Sequence, residues 1–395
     1  MKISKNAQSV PASMTLEITA KVKKLKSEGK KIIGFTAGEP DFNTPKYIIE
    51  SAKEALDKGI TKYTPVAGIE EFKKAICNKF LNDNGLSYNP SQIVVSNGAK
   101  ASLYHAIYAI VDKGDEIIIP APFWFTYEEQ VKLCGGVPVI VKTKEENGYK
   151  ITPEELENSI TDKTVAIIIN SPSNPSGAVY SEEELIALSK IIEKHNLLVI
   201  SDEIYEKLIY DGLKHVSPAS VSDYMKDNTI VINGVSKTYA MTGWRIGYLA
   251  APQEIASAIT RVQSHTTSNA CSFAQYASIS ALVKEDSSVN EMISAFAERR
   301  NYMLERVKKL NLNYVKPQGA FYMFIDVSSL YGKSVNGKVI NGSMDFASAL
   351  IDFGVAVIPG KPFHFDNFIR VSYAVSKKDI CDGFDLIEKF ISSLK

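Results

Sequence analysis

From about residue 92 the chain alternates between short apolar, β-branched runs and longer stretches of helical periodicity. Seven runs of strand character fall at 92–95, 116–119, 137–141, 165–170, 197–201, 229–233 and 245–250. Most are separated by helical patterns, for instance 101–111 and 182–194, the latter opened by a capping box from Ser181 to Glu184. Strands alternating with helices predict an α/β fold: a mostly parallel seven-stranded sheet with helices on both faces. In such sheets ligands bind at the carboxyl ends of the strands.

The flanking regions read differently. The N-terminal part holds one helical stretch, 15–28, then the turn-rich AGEPDFNTP at 37–45. Thr44 reads as an N-cap and Pro45 as the first residue of a helix running to about Lys58. A polar turn carrying Tyr63 and Gly68 leads to a helix ending near Gly85. After Ala250 come long helices, including 287–309, then GAFYMFIDV from Gly319, a helix at 343–353, runs at 355–359 and 367–372, and a closing helix from Lys377. This tail predicts a smaller α+β domain. The segment 331–342 is polar and Gly-rich and is expected to be an exposed loop. The expected organisation is an N-terminal arm with part of the small domain (1–45), a large domain (46–285) and a small C-terminal domain (286–395).

Composition narrows the partners. The 395 residues carry 45 Lys+Arg and 45 Asp+Glu, so no global field draws the chain to nucleic acid or anionic lipid. Cys77, Cys134, Cys271 and Cys381 lack metal-ligand spacing, and the five histidines form no zinc-type pair, so no metal site is expected. The start has no signal-peptide core, and no run approaches the ~18 apolar residues of a membrane span. A reduced, cytoplasmic protein is the simplest expectation.

Candidate chemistry gathers just past the strands. SKTYAMTGWRIG, 236–247, carries Lys237 and Arg245 as its only charged side chains, on a loop between two expected strands. A desolvated lysine loses its proton more readily and becomes a nucleophilic amine able to form a Schiff base, and an arginine fork suits a phosphate dianion. SNGAK, 96–100, opens a helix whose free N–H groups make an anion seat, although a plain helix start reads the same way. Trp124 could lie against a planar ring or simply pack in the core. Asn174, between Pro172 and Pro175 in SPSNPSG, offers an amide that both donates and accepts. In SDEIY, Asp202 could accept from a protonated pyridine nitrogen and Tyr205 could bond a ring oxygen, or the pair could be a helix cap and a core tyrosine. One cofactor, pyridoxal 5'-phosphate, asks for all of these together.

Taken in order, AGEPDF, TKYTPVAGIEEFKKAI, SNGAK, NSPSNPSG, SDEIY, SKTYAMTGWRIG and the late Arg370 resemble the fold type I aminotransferases of class I and II, nearest the bacterial branch that contains aspartate aminotransferases. The resemblance implies transamination between an amino acid and a 2-oxo acid, with Lys237 as Schiff-base lysine and proton shuttle and Asp202 on the pyridine nitrogen. It implies Tyr205 and Asn174 on the phenolate oxygen and Trp124 stacked on the ring. Gly98, Ala99, Lys100, Ser236 and Arg245 would form the phosphate site, joined by Tyr63 from the neighbouring subunit of a homodimer. Arg370 would grip the substrate α-carboxylate, and Gly38 would close over the substrate. Aspartate or glutamate with 2-oxoglutarate is the implied pairing, but no cation for a side-chain carboxylate is evident. Ser13, Met14 and Thr15 are candidates for side-chain contacts, whereas Arg261 and His265 are not clearly aimed at the site. A carbon–sulfur lyase on the same scaffold is the main rival. A transcription regulator would need a basic DNA-binding module that this chain lacks.

Overall fold

The computed structural model describes residues 2–12, 14–284 and 286–395. Each of the seven apolar runs forms a strand: β1 Ile93–Ser96, β2 Glu116–Ala121, β3 Val137–Lys142, β4 Thr164–Asn170, β5 Leu198–Asp202, β6 Thr229–Gly234 and β7 Gly247–Ala250. They form one sheet in the order β1-β7-β6-β5-β4-β2-β3. All are parallel except β7, which runs antiparallel to both β1 and β6.

Successive residues of these strands feed opposite faces. Ile117, Ile119, Ile168, Ile200 and Ile232 pack with Leu103 and Ile107 of α1 (Ala99–Ile110) and Ile259 of α2 (Gln253–Thr266). Ile118, Ile167, Ile169 and Val199 pack on the other face with Leu185, Leu188 and Ile192 of the helix Glu182–Lys194. With both faces covered, the sheet presents chemistry only at its edges and strand ends. The capping box expected at Ser181 is present, its hydroxyl accepting from the Glu184 N–H and the Glu184 carboxylate accepting from the Ser181 N–H.

The antiparallel return of β7 has a local cause. A parallel crossover takes a dozen or more residues, usually a helix. The 12 residues 235–246 between β6 and β7 hold only the single 3-10 turn Thr242–Trp244. The chain therefore doubles back, and the end of β6 and the start of β7 share one edge of the sheet.

The C-terminal part builds a second layer. Its antiparallel sheet has the order Ile358–Pro359, Phe368–Ser372, Tyr322–Asp326, Tyr314–Val315. The helices Ser288–Lys309, Ser343–Asp352 and Lys377–Ser393 pack with it through Phe296, Phe346, Leu350, Phe384 and Phe390. The N-terminal segment joins this layer: Ile33–Gly34 pairs parallel with Val355–Ala356, and Phe35 packs against Phe384. Among the described residues, no helix is long and apolar enough to cross a membrane.

Three expectations are corrected. Thr44 does not cap the helix Lys46–Asp57. Pro45 holds the N-cap position, and the Thr44 hydroxyl instead donates to the Ala240 carbonyl and accepts from the Trp244 indole, tying the turn to the loop after β6. Arg245 does not begin the seventh strand but sits left-handed (φ 56°) ahead of it, because its side chain is drawn toward Asn97. The polar segment 331–342 contains a small hairpin, Ser334–Val335 with Lys338–Val339, turned by Asn336 and Gly337 at positive φ. Asn-Gly is the strongest short hairpin signal, but two-residue strands leave no alternation to read.

Gly383, in the closing helix, marks its closest approach to the N-terminal segment: a Cβ there would lie 2.4 Å from the Phe35 ring. Gly383→Ala is expected to destabilise the fold by about 1–3 kcal/mol through overpacking, measured by denaturant unfolding.

Candidate active site

The loop after β6 leaves the sheet at Gly234, where a Cβ would crowd Gly247 and Ile246 at 3.0–3.1 Å. It then turns tightly, with the Met241 N–H donating to the Ser236 carbonyl and Ala240 left-handed at φ 50°. This turn carries Lys237 into the cleft between the two layers. Its Nζ donates to the Gly38 carbonyl at 2.5 Å and lies 6.0 Å from the centre of the Phe321 ring. Burial pushes its ammonium down to about 8. Glu39 and Asp202 oppose that shift, while Arg245 and Arg370 add to it. Glu39 is itself anchored by the Thr242 hydroxyl at 2.6 Å.

At the end of β5, Asp202 is buried. One carboxylate oxygen accepts from the Tyr127 hydroxyl at 2.7 Å and the other from the Ile204 N–H at 3.2 Å. Burial pushes its carboxyl above the usual carboxylate range despite these two donors. Asn170, at the end of β4, braces the neighbourhood by donating to the Asp202 carbonyl and accepting from the Asn174 N–H, both at 2.9 Å. Tyr205 meets the Tyr322 hydroxyl at 2.9 Å, and burial drives its phenol well up.

Arg370 is the second buried cation. Its residue is 2 % exposed, and among the described residues it faces no carboxylate. One guanidinium nitrogen donates to the Asn174 amide oxygen at 2.9 Å, another to the Thr36 carbonyl at 3.3 Å, and Nε has no partner. The guanidinium lies 4.3 Å from the Tyr322 ring centre and 5.5 Å from that of Phe363. A buried arginine held only by neutral acceptors is incomplete without an anion.

A third cationic group stands at the N-terminus of α1. Gly98 holds the N-cap position at φ 87°, with no side chain occupying the cap. Arg245 donates to the Thr242 carbonyl at 2.8 Å and the Asn97 carbonyl at 3.3 Å, and no acid pairs with it among the described residues. A Cβ on Gly98 would lie 2.3 Å from the Arg245 guanidinium, and one on Gly247 would lie 2.1 Å from the Ala99 nitrogen. Glycine at both positions lets Arg245, the loop before β7 and the helix start converge with N–H groups free, a seat for a phosphate dianion.

Around these groups stand the other expected residues. Ser236 is buried beside Lys237. The Lys100 ammonium lies 4.6 Å from the centre of the Trp124 ring, and burial, with Arg245, holds it below its usual range. The Trp124 ring meets Tyr127 edge-on at 5.6 Å. Gly38 lies close to the Tyr322 hydroxyl. Tyr63 is 91 % exposed. Ser13 lies outside the described residues, and Arg261 and His265 are exposed on α2. Sequence reasoning missed Tyr127, Tyr322, Asn170 and Glu39. Tyr127 follows Trp124 by three positions, so one helical turn could have flagged it, but its pairing with Asp202 spans 75 residues.

The donor set fits pyridoxal phosphate: an amine-forming lysine, a buried acid at a strand end, and a helix start with an unpaired arginine. The unpaired Arg370 adds room for a carboxylate. A family model described as aminotransferase class I and II matches residues 30–384. Aspartate aminotransferase of Bacillus subtilis (strain 168) is 47 % identical over 393 residues, covering 99 % of both chains. The crystal structure of the Rhizobium meliloti aspartate aminotransferase superposes with a TM-score of 0.97 at 39 % identity, covering 100 % of both chains. That of Thermus thermophilus aspartate aminotransferase with maleate superposes with a TM-score of 0.94 at 38 % identity, covering 99 % of this chain and 100 % of that one. With lysine, buried acid, phosphate seat and unpaired arginine at the strand ends where such a cofactor is held, the chain belongs to the class I and II aminotransferases, pyridoxal-phosphate enzymes of fold type I.

Proposed function

We propose that the enzyme transfers the amino group of aspartate, or of glutamate, to a 2-oxo acid, with 2-oxoglutarate as the favoured acceptor. The observation that carries this reading is Arg370: a buried, acid-free guanidinium held beside Asn174 offers its fork to an α-carboxylate. When bound, pyridoxal phosphate supplies the aldehyde that takes the amino group and the ring that delocalises the electron pair left at Cα. Lys237 would hold the group through its amine, and its Nζ, once free, would move the proton from substrate Cα to the carbon that bore the aldehyde. Asp202 holds the ring nitrogen protonated, with Tyr127 orienting the carboxylate. Asn174 and Tyr205 donate toward the phenolate oxygen, and Trp124 covers the ring. Gly98, Ala99, Lys100 through its backbone, Ser236 and Arg245 receive the phosphate, and Gly38 closes over the substrate.

Two further assignments belong to this reading. Relatives named aspartate aminotransferases, one of them solved with maleate, a four-carbon dicarboxylate, support a dicarboxylic substrate. The cation that such a substrate needs, absent from the sequence pattern, is supplied by the Lys100 side chain, which lies over Trp124 and pairs with no acid among the described residues. The extreme exposure of Tyr63 supports a homodimer in which it reaches the neighbouring subunit's phosphate. A lyase would use the same Lys237 and Asp202, but a dicarboxylate pocket gives it no leaving group to expel.

Four outcomes test the proposal. Lys237→Ala abolishes amino exchange and the visible absorbance of the linked cofactor, and survival of either sinks the assignment of Lys237. Apo-enzyme reconstituted across pH captures cofactor faster as the Lys237 amine loses its proton, with a midpoint near 8 rather than near the ordinary lysine value of about 10.4. Gly247→Ala, which drives a methyl group into the helix start, weakens cofactor affinity at least tenfold, read by equilibrium dialysis, while Arg370→Ala raises the KM for aspartate and leaves cofactor affinity within about twofold.

A further inference from the structure

Directly behind Asp202, on the opposite side of the β5 end, lies a buried charge cluster that the proposed chemistry does not use. Chain alternation sends Asp202 into the cleft and Glu203 the other way, so two adjacent carboxylates face opposite environments. Glu203 is fully buried. One of its oxygens accepts from the Ser201 hydroxyl at 2.8 Å and the Ser217 hydroxyl at 2.6 Å, and the other meets His215 Nε2 at 2.7 Å. Because an ionised carboxylate only accepts, that ring nitrogen must carry a proton, and His215 Nδ1, buried and without a partner, is where the second proton comes and goes.

The groups facing His215 are two acids and a cation. Glu206, one turn on, pairs with Lys79 of the helix Glu70–Asn84 and accepts from the Asn84 amide at 3.1 Å. Lys79 also lies 3.8 Å from Asp83, which Lys207 neutralises at 2.6 Å. The phenol of Tyr88, itself without a partner, feels the Glu203 charge as well. Glu203, Glu206 and His215 bring ligand atoms within 4.8 Å of one another, but the Lys79 ammonium and the two serine hydroxyls already occupy the carboxylate oxygens, so the cluster is a charge balance and not a cation site. Burial opposes protonation of His215, but Glu203 and Glu206 outweigh it and raise the imidazole above its ordinary range, against the opposing charge of Lys79. Glu203 in turn raises Asp202.

We propose that His215, acting through Glu203, is a positioning residue for the transamination site: the charge state of this pair sets the potential at Asp202, and through it the protonation of the cofactor ring and of the Lys237 linkage. With His215 protonated, Glu203 is offset and Asp202 accepts from the ring nitrogen as an ordinary carboxylate. With His215 neutral, a net negative charge stands one residue behind Asp202 and favours protons on both ring nitrogen and linkage. The inference rests on the reading of Asp202 as the ring-nitrogen partner.

The experiment is a pH titration of the visible cofactor band of the holoenzyme, alongside amino-exchange rates. His215→Gln removes a positive charge and is expected to raise the midpoint by about half a unit or more, the size of a charge acting across a medium of intermediate dielectric. Glu203→Gln lowers it. In the Glu203→Gln background, where only Glu206, itself paired with Lys79, still favours the charged imidazole, adding His215→Gln moves the midpoint less than it does in wild type. A folded His215→Gln enzyme whose midpoint matches wild type, or the same rise in both backgrounds, overturns the proposal. Should these variants not fold, wild-type enzyme with 13C-labelled histidine serves: reciprocity requires the His215 titration to differ between apo- and holoenzyme, and identical curves overturn it. Asp202→Asn separates the two readings. If it leaves the band unchanged, the assignment of Asp202 has failed; if it shifts the band while His215→Gln does not, only the present inference has.

Discussion

The twelve residues joining β6 to β7 are at the lower limit for a crossover and hold no α-helix to cover the sheet, and the chain folds back antiparallel along the edge it has just left. That constraint puts the end of one strand and the start of the next side by side. Lys237 leaves from the first and Arg245 arrives at the second. Both then stand beside the start of α1, which the β1 end delivers to the same edge because β1 is the other neighbour of β7. The closeness of Gly247 to the Ala99 nitrogen is the physical seam of this arrangement: neither side chain nor insertion fits there.

The site is held together by charges that the protein does not pair with each other. Arg370 donates to Asn174 and Arg245 and Lys237 donate to backbone carbonyls, while Asp202 takes its hydrogen bonds from Tyr127 and a backbone N–H. Leaving the buried Arg370 charge on neutral partners costs stability that the packed cores supply. The reward is a cleft whose unmet electrostatic demands match an anionic phosphate, a cationic ring nitrogen and a carboxylate at three separate places. By contrast, the charges behind β5 are mutually satisfied, with Glu206 on Lys79 and Glu203 on His215. The free Nδ1 of His215 leaves that cluster able to change its charge.

The amino-acid sequence by itself determined the seven strands, because short apolar, β-branched runs separated by helical patterns read as strands of a parallel sheet. It also determined the residue types at the strand ends, because each follows its strand by a few positions in the chain: Lys237 after β6, Asp202 at the end of β5, Gly98 after β1. The carboxylate–hydroxyl pair of Asp202 with Tyr127, the Tyr205–Tyr322 contact and the place of Arg370 against Asn174 were decided only by tertiary structure, since they join residues 75, 117 and 196 positions apart and no local pattern carries such a distance. The same holds for Thr44, whose local context reads as a helix cap and whose hydroxyl is taken by a loop nearly 200 residues away. Local sequence specifies which groups are offered at the sheet edge; packing two layers across a cleft decides which of them meet, because burial makes every polar group find a partner from whatever segment arrives there.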